Sequence, residues 1–593
     1  VTVTAKSLVA EEFQYMEINK IDIYTNPAAQ ADPLLAVNSL PSATTTDESA
    51  NISLRGSSPV ETGIFLNNVP VYDAVRYAQL NGIGTFSIFN TAIIEDVTVF
   101  PGNPPLEFGN VTSGVIAIDT DQRILEGSAN SLIVSLASVS FSREQRISDN
   151  QSIKIFTNWQ PSAAIKKVNA KALEDINSFS SNDLGIYWYG SSSRLNWKVF
   201  SYTNIEGFEF NFQHPSFVGS FNQSKKRSFL TSTVTFPLAK GAISINNGLS
   251  KSRGDFSYSN VSFQVDNHDI FGGINYQVDT EKISFKTGFS YDYRFSEVDG
   301  NFHRFGFALD TDHPTDELNE QVEVITPESF AYLKYYLLQD LALGFGLRKN
   351  IPRDSIDYLS GQMNLAYTFG DWSATFGVGR YNKSGLFENS GSPFVSESDQ
   401  FSLDLNYSKK NLNAALSVFE KASKINEQKY ETRGIELFSS YQLTDKFTAS
   451  GSLTWLDASS KADESFEYDL SYFLRANISY QPGKFWTFES ILNSRQGTLY
   501  DPVASASFNT DFEVFEPVFE ETPLRLPNYW NVGLSVSKIF FAKEEASFIA
   551  FMSINNLFNN NNVRALNYSE DYSRSEQSLF SQRTGYVGVV INF

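Results

Sequence analysis

Cysteine is absent from the 593-residue chain, which removes disulfides, thiolate metal sites and cysteine nucleophiles together. Histidine is scarce. The four present, His214, His268, His303 and His313, are scattered without ligand-like spacing, so loop or lumen positions suit them better than a metal site. No run of about 18 or more apolar residues occurs, so no hydrophobic helix is available to cross a bilayer. Basic residues are outnumbered, with 46 Lys and Arg against 67 Asp and Glu and a formal net charge of −21. A phosphate backbone needs a basic surface, so nucleic acid is not an expected partner. No G-x-S-x-G, no H-E-x-x-H and no phosphate-cradling glycine loop followed by Lys is found; neither catalytic residues nor a cofactor are expected.

Rings are abundant instead: 51 Phe, 28 Tyr and 7 Trp make up 15% of the chain, although the mean hydropathy is only −0.25. In lipid every backbone amide must find a partner inside the protein, so a spanning chain without apolar helices must be a closed barrel. Val1 is not followed by a charged region and an apolar stretch, so any export signal is expected to have been removed before this numbering begins.

From about residue 130 onward, apolar and polar residues alternate with period two in segments of ~10 residues. In 283–295, Ile283, Phe285, Phe289, Tyr291, Tyr293 and Phe295 alternate with Ser284, Lys286, Gly288, Ser290, Asp292 and Arg294. One face suits lipid and the other water. Met363, Leu365, Tyr367 and Phe369 reverse through Gly370-Asp371 into Trp372, Ala374, Phe376 and Val378, and Leu474, Ile478 and Tyr480 reverse through Pro482-Gly483 into Trp486 and Phe488. Rings gather beside these short turns, as an interfacial girdle requires, and polar stretches such as 296–330, 456–471 and 495–528 read as long connections on the opposite side. About 22 strands fit the remaining length, a size at which the lumen is wide enough to need filling. A propeller or solenoid would need an internal repeat, and none is found. At the end of the chain Val587, Val589, Ile591 and Phe593 alternate up to a terminal phenylalanine, which resembles the strand read by the bacterial barrel-assembly machinery.

Residues 1–121 differ. They lack long amphipathic hairpins and hold 4 Lys or Arg against 14 Asp or Glu, which marks a separate domain. Their motifs, in order, are Val1-Thr2-Val3-Thr4-Ala5; Ala31-Asp32-Pro33 with Val37-Asn38-Ser39-Leu40-Pro41; Asn51-Ile52-Ser53-Leu54-Arg55-Gly56; Ile64 to Tyr72 around Asn67-Asn68; Phe86-Ser87-Ile88-Phe89-Asn90; and Ile94 to Ile118 with Gly102, Gly109 and Gly114. This order resembles the plug domain of TonB-dependent receptors, particularly the form common in Bacteroidetes. Near the end, Arg525-Leu526-Pro527-Asn528-Tyr529 and Asn555-Asn556-Leu557-Phe558-Asn559 resemble the family's late barrel motifs.

The resemblance implies an all-β membrane protein: a ~22-stranded antiparallel outer-membrane β-barrel (122–593) with an N-terminal α+β plug domain in the lumen (6–121), preceded by a TonB-box-like segment at 1–5. That segment, rich in β-branched residues, would pair as an added strand with a TonB-type periplasmic energiser. Glycines at 102, 109 and 114 would permit tight turns and positive φ. Asn67-Asn68 stands where the family has Asp-Gly; asparagine tolerates the left-handed region, so the turn can survive but any contact made by the carboxylate cannot. Lys198, Lys286, Arg294 and Arg348 are expected to face inward and compensate the acidic plug. Tyr72, Arg76, Tyr77 and Gln79, following a turn expected to point outward, are candidate solute contacts, and the acidic and aromatic loop 509–521 is another.

The implied function is active import of a scarce solute (siderophore, vitamin, oligosaccharide or peptide) across the outer membrane of a Gram-negative bacterium. Expected partners are the energiser, outer-membrane lipids and the barrel-assembly machinery, with a surface lipoprotein or larger outer-membrane complex as a further one. The alternative is a receptor-like barrel serving as a structural or accessory subunit of such a complex, favoured by Asn67-Asn68 and the compact length. A passive porin is third, and porins carry no plug of this size.

Overall fold

The computed structural model describes residues 16–26, 29–78, 84–353, 356–387, 390–460, 469–542 and 546–593; residues 1–5 and Gln79 lie outside the described residues. Twenty-two strands, from Ser128–Ser135 to Thr584–Asn592, form one closed antiparallel barrel. The last strand closes on the first, with Gly588 opposite Ser135 through Asn592 opposite Ser131. Val587 of that strand and Phe593, the residue after it, are exposed.

The alternation sets the register. In strand Ile283–His303, Ile283, Phe289 and Tyr291 are exposed, whereas Ser284, Lys286, Ser290, Asp292 and Arg294 are buried in the lumen. A slip of one residue would exchange the two sets. At one end of the barrel the strands are joined by two to four residues, as at 239–240, 370–371 and 410–411, and at the other by segments as long as 496–528 and 556–583. Tyr367, Phe369, Trp372, Tyr441, Tyr480 and Trp486 are exposed beside the short turns. Outer-membrane barrels keep short turns on the periplasmic side and long loops outside, which orients the molecule.

The stretch 296–330 is not the long connection its polarity suggested. Strands Ile283–His303 and Thr315–Leu338 run through most of it and leave only 304–314 as loop. A tilted strand of ~9–11 residues already spans the bilayer. The outer parts of these strands stand in water on both faces, so they carry no apolar alternation. Segment 496–528 likewise contains a hairpin, Val503–Asn509 against Val514–Phe519.

Inside the barrel lies a five-stranded mixed sheet, in spatial order Met16–Asn19, Ile94–Phe100, Val115–Thr120, Gly63–Leu66 and Val69–Pro70. Gly63–Leu66 pairs parallel to Val115–Thr120, and the other pairings are antiparallel. Two short helices cover it. Lys20–Thr25 starts at a capping box made by Asn19 and Asp22, and Pro33–Val37 at Asp32, whose Oδ1 accepts from Leu34 N (2.9 Å) and Leu35 N (3.0 Å). Leu34, Val37, Ile94, Val97, Ile116 and Ile118 are buried together in the plug's own core. The same cluster continues into the wall rings Phe156, Tyr187, Phe200 and Tyr202, so the plug meets the barrel through apolar contact on that side and through polar groups elsewhere on its rim.

Candidate functional site

Ion pairs join plug and wall at several heights. Lys198 Nζ lies 3.1 Å from Asp119, Lys286 Nζ 2.6 Å from Glu107, and Lys225 and Arg227 reach Asp73 at 2.6 and 3.0 Å. Arg348 donates to Leu106 O and Glu107 O while pairing with Glu328 of its own wall, and the Arg294 guanidinium lies 3.9 Å from the Tyr72 ring centroid. The four cations expected from strand parity all face the plug. Burial pushes the Asp73 carboxyl up, but Arg227 and Lys225 more than offset this and hold it below the usual carboxylate range. Buried pairs of this kind add little net stability, yet losing one member costs ~3–5 kcal/mol; they fix where the plug sits.

Two plug cations point the other way. Arg55 Nη2 lies 2.8 Å from Glu436 and 3.1 Å from Asp404 of the wall, and Arg76 Nη1 lies 2.6 Å from Asp183. Sequence reasoning missed these carboxylates; their even spacing within the polar set of each strand is the signal that could have found them.

Each motif residue has a place. Arg55 and Gly56 take φ of 51° and 70°, and a Cβ on Gly56 would lie 2.7 Å from Thr432 Cγ2 of the wall. Gly102, Gly109 and Gly114, by contrast, are not at positive φ. Close approach explains them: a Cβ would meet Arg55 Nη1 at 3.2 Å from Gly102, Arg348 Nη1 at 2.6 Å from Gly109, and Phe100 O at 2.7 Å from Gly114. Asn67 and Asn68 both adopt left-handed φ, 51° and 66°, so the turn keeps its form. It does not point outward: Lys198 Nζ donates to Asn67 Oδ1 (3.2 Å) and Thr233 Oγ1 to Asn67 O (2.7 Å), both from the short-turn half of the wall.

The predicted solute contacts divide. Tyr72 donates its hydroxyl to Asp292 in mid-barrel, and Arg76, 3% exposed, is held by Asp183, Tyr202 and Ile88 O. Both serve the plug–wall contact. Tyr77, at φ 54°, borders a cavity of about 230 Å³ on the outer side of the plug, where it packs on Phe179 and Phe208.

Above the plug the loops meet. Loop 304–314 and hairpin 503–519 spring from nearly opposite sides of the barrel. Phe512 lies 4.6 Å from Phe305 and 6.2 Å from Phe307 between ring centroids, and its carbonyl hydrogen-bonds His313 Nε2 while His313 Nδ1 faces Asp310 at 2.5 Å. At the other end of the plug, burial and the neighbouring Asp119, Glu17 and Glu95 raise the Asp96 carboxyl to about 7, with Lys198 opposing. Among the described residues there is no group of three or more His, Cys, Asp or Glu able to hold a metal ion.

The TonB-dependent receptor plug domain family matches residues 21–116. No curated protein sequence matches the chain. Among solved structures, a mutant ferric enterobactin receptor of Pseudomonas aeruginosa superposes with a TM-score of 0.75 at 15% identity over 100% of both chains. The ferric yersiniabactin uptake receptor FyuA of Yersinia pestis gives 0.74 at 11%, and the copper transporter OprC 0.71 at 13%, each over 98% of both chains. The family model covers the plug segment, and the fold of the whole chain is that of these receptors. Residues 21–116 thus match the plug domain of TonB-dependent receptors, and the chain has the fold of the plugged 22-stranded barrels to which it is similar.

Proposed function

We propose that the protein imports a scarce solute actively, with residues 1–5 as the segment gripped by a TonB-type energiser, 6–121 as the plug and 122–593 as the barrel. The outer membrane holds no nucleotide or ion gradient, so work must arrive mechanically through the plug. The observation that carries this reading is how the plug is held: a sheet enclosed by the wall, packed on one side against wall rings and attached elsewhere through separate ion pairs such as Arg55–Glu436 and Lys286–Glu107. Such contacts can be exchanged one at a time as the plug shifts. Solute binding must favour the shifted state over the resting one, because only differential affinity moves an equilibrium. Copper and two ferric siderophores are the ligands named for the similar structures, which supports a scarce, specific solute over bulk diffusion. Asn67-Asn68 keeps its turn; the missing carboxylate there and the compact length are what favour the accessory-subunit alternative.

Deletion of residues 1–5 tests the reading. Energised uptake by cells should stop while solute binding at the surface persists. Uptake unaffected by the deletion, together with a stoichiometric copurifying partner, would instead establish the accessory subunit.

A further inference from the structure

Arginines at the plug boundary fall into two groups. Arg55, Arg76, Arg227, Arg294 and Arg348 each pair with a carboxylate: Glu436, Asp183, Asp73, Asp269 and Glu328 respectively. Arg475 and Arg495 form no ion pair among the described residues. Arg475 Nη2 donates to the plug carbonyl of Ala43 at 2.6 Å, and its buried Nη1 has no partner. Arg495, 7% exposed, donates to the plug carbonyl of Thr46 and to Gln496 O, and lies over the rings of Tyr529 and Phe580 at 4.7 and 5.3 Å.

The two belong to one site. Arg475 stands opposite Asn493, and Phe473 opposite Arg495, so the arginines are diagonal neighbours on one inward face, ~7–8 Å apart at the backbone. Both border the outer cavity of about 230 Å³, between plug residues 38–48, the wall and the 162–175 connection. Phe179, Phe208 and Tyr586 supply rings to the same space. The cavity's own carboxyls are engaged elsewhere: Glu48 accepts from Tyr529 Oη (2.9 Å) and Ser581 N (3.2 Å), and Asp47 from Ser49 Oγ (2.5 Å). Burial raises both carboxyls, and Arg495 opposes the rise without forming an ion pair with either. Arg475, with Ser39 and Asn493, also borders a second cavity of about 780 Å³ on the periplasmic side of the plug.

A buried cation without a counter-ion is costly, and an anionic oxygen makes a hydrogen bond roughly twice as strong as a neutral carbonyl does. We propose that this cavity binds a small carboxylate with an aromatic body: the carboxylate takes the guanidiniums of Arg475 and Arg495, and the body packs against Phe179, Phe208 and Tyr586. Occupancy replaces the carbonyls of Ala43 and Thr46 as acceptors, so the bound anion releases the plug segment that these arginines hold. Arg475, shared by both cavities, is the point of passage from the outer to the inner. The inference rests on the import reading and narrows its solute.

The test uses the purified full-length chain in detergent, 1-naphthoate as probe and the neutral 1-naphthylmethanol as control, followed by titration calorimetry. Saturable naphthoate binding, weakened about tenfold or more in both Arg475→Gln and Arg495→Gln, with Arg475→Lys intermediate, is the expected result. Each variant is first checked for a heat-modifiable folded barrel by gel migration. Because the chain lacks cysteine, a single Thr46→Cys substitution reports the plug segment, and naphthoate should speed its reaction with a maleimide. Absence of naphthoate binding at millimolar concentration, equal binding of the alcohol, unchanged binding in both glutamine variants, or labelling indifferent to naphthoate would each overturn the proposal. No energiser takes part, so these failures leave the import reading standing, whereas uptake independent of residues 1–5 would sink that reading and not the site.

Discussion

Asn67 Oδ1 accepts from Thr120 N at 3.2 Å and from Thr120 Oγ1 at 3.0 Å, so the side chain of the plug's hairpin turn is bonded to the last plug strand. With Lys198 as a third donor, one oxygen ties turn, sheet and wall together. Asn67→Leu loses these bonds and forces a branched residue into positive φ, at a cost of about 2–4 kcal/mol. Asn67→Asp keeps both acceptor and conformation. Limited proteolysis of the detergent-solubilised protein during mild heating should therefore cut the plug of the leucine variant first and leave the aspartate variant close to the parent; equal protection of leucine and parent would contradict the role of Asn67.

Arg55 faces two carboxylates, Glu436 and Asp404, and its removal leaves both buried without a counter-ion. Arg55→Ala is expected to loosen the plug by about 3–5 kcal/mol and to raise single-channel conductance in planar bilayers. Adding Glu436→Gln and Asp404→Asn to Arg55→Ala should bring conductance back down, because the stranded charges are then gone. A triple variant as leaky as the single one would mean that Arg55 acts through packing, not charge.

Strand parity was legible because a wall between lipid and water must alternate: Lys198, Lys286, Arg294 and Arg348 could be assigned inward from sequence alone, and they are. The plug's motif order was legible too, since Arg55, Gly56 and the turn at Asn67-Asn68 each occupy a backbone conformation few residues tolerate. Three things were hidden. The outer halves of strands such as Thr315–Leu338 have water on both faces and hence no apolar period. The direction in which the 67–68 turn points depends on how the whole plug sits, and no local pattern encodes that. That Arg475 and Arg495 form no ion pair among the described residues is visible only once partners on the plug are known, because in sequence they look like Arg348.

Asp96 makes plug stability depend on pH. Its carboxyl is raised from 3.8 to about 7 by burial first, then by Asp119, Glu17 and Glu95. The folded plug thus keeps a proton that the loosened chain gives up, so the stabilisation is complete below 3.8 and lost as pH rises through about 7. Protease protection of the plug should be greater at pH ~5 than at pH ~8 by this group, and Asp96→Asn, which cannot ionise, should flatten the dependence and protect better at the higher pH. An unchanged pH profile in Asp96→Asn would show that other groups set it.

Phe512 joins hairpin 503–519 to loop 304–314 across the mouth of the barrel, and on the import reading proposed above this contact is expected to open for solute. Its ring meets Phe305 and Phe307, and its carbonyl meets His313, from a loop rooted nearly opposite on the barrel. Aromatic pairs of this kind are worth about 0.5–1.5 kcal/mol each beyond their burial, so Phe512→Ala should speed association several-fold while changing the affinity of the closed state in the opposite sense. The absence of cysteine allows a direct test: Phe307→Cys with Phe512→Cys, joined by a short bismaleimide, should hold the loops together and block uptake by cells, whereas either single variant treated alike should still transport. Transport at the parental rate by the cross-linked protein would mean that solute enters beside these loops, and the closure at Phe512 would then have no part in gating.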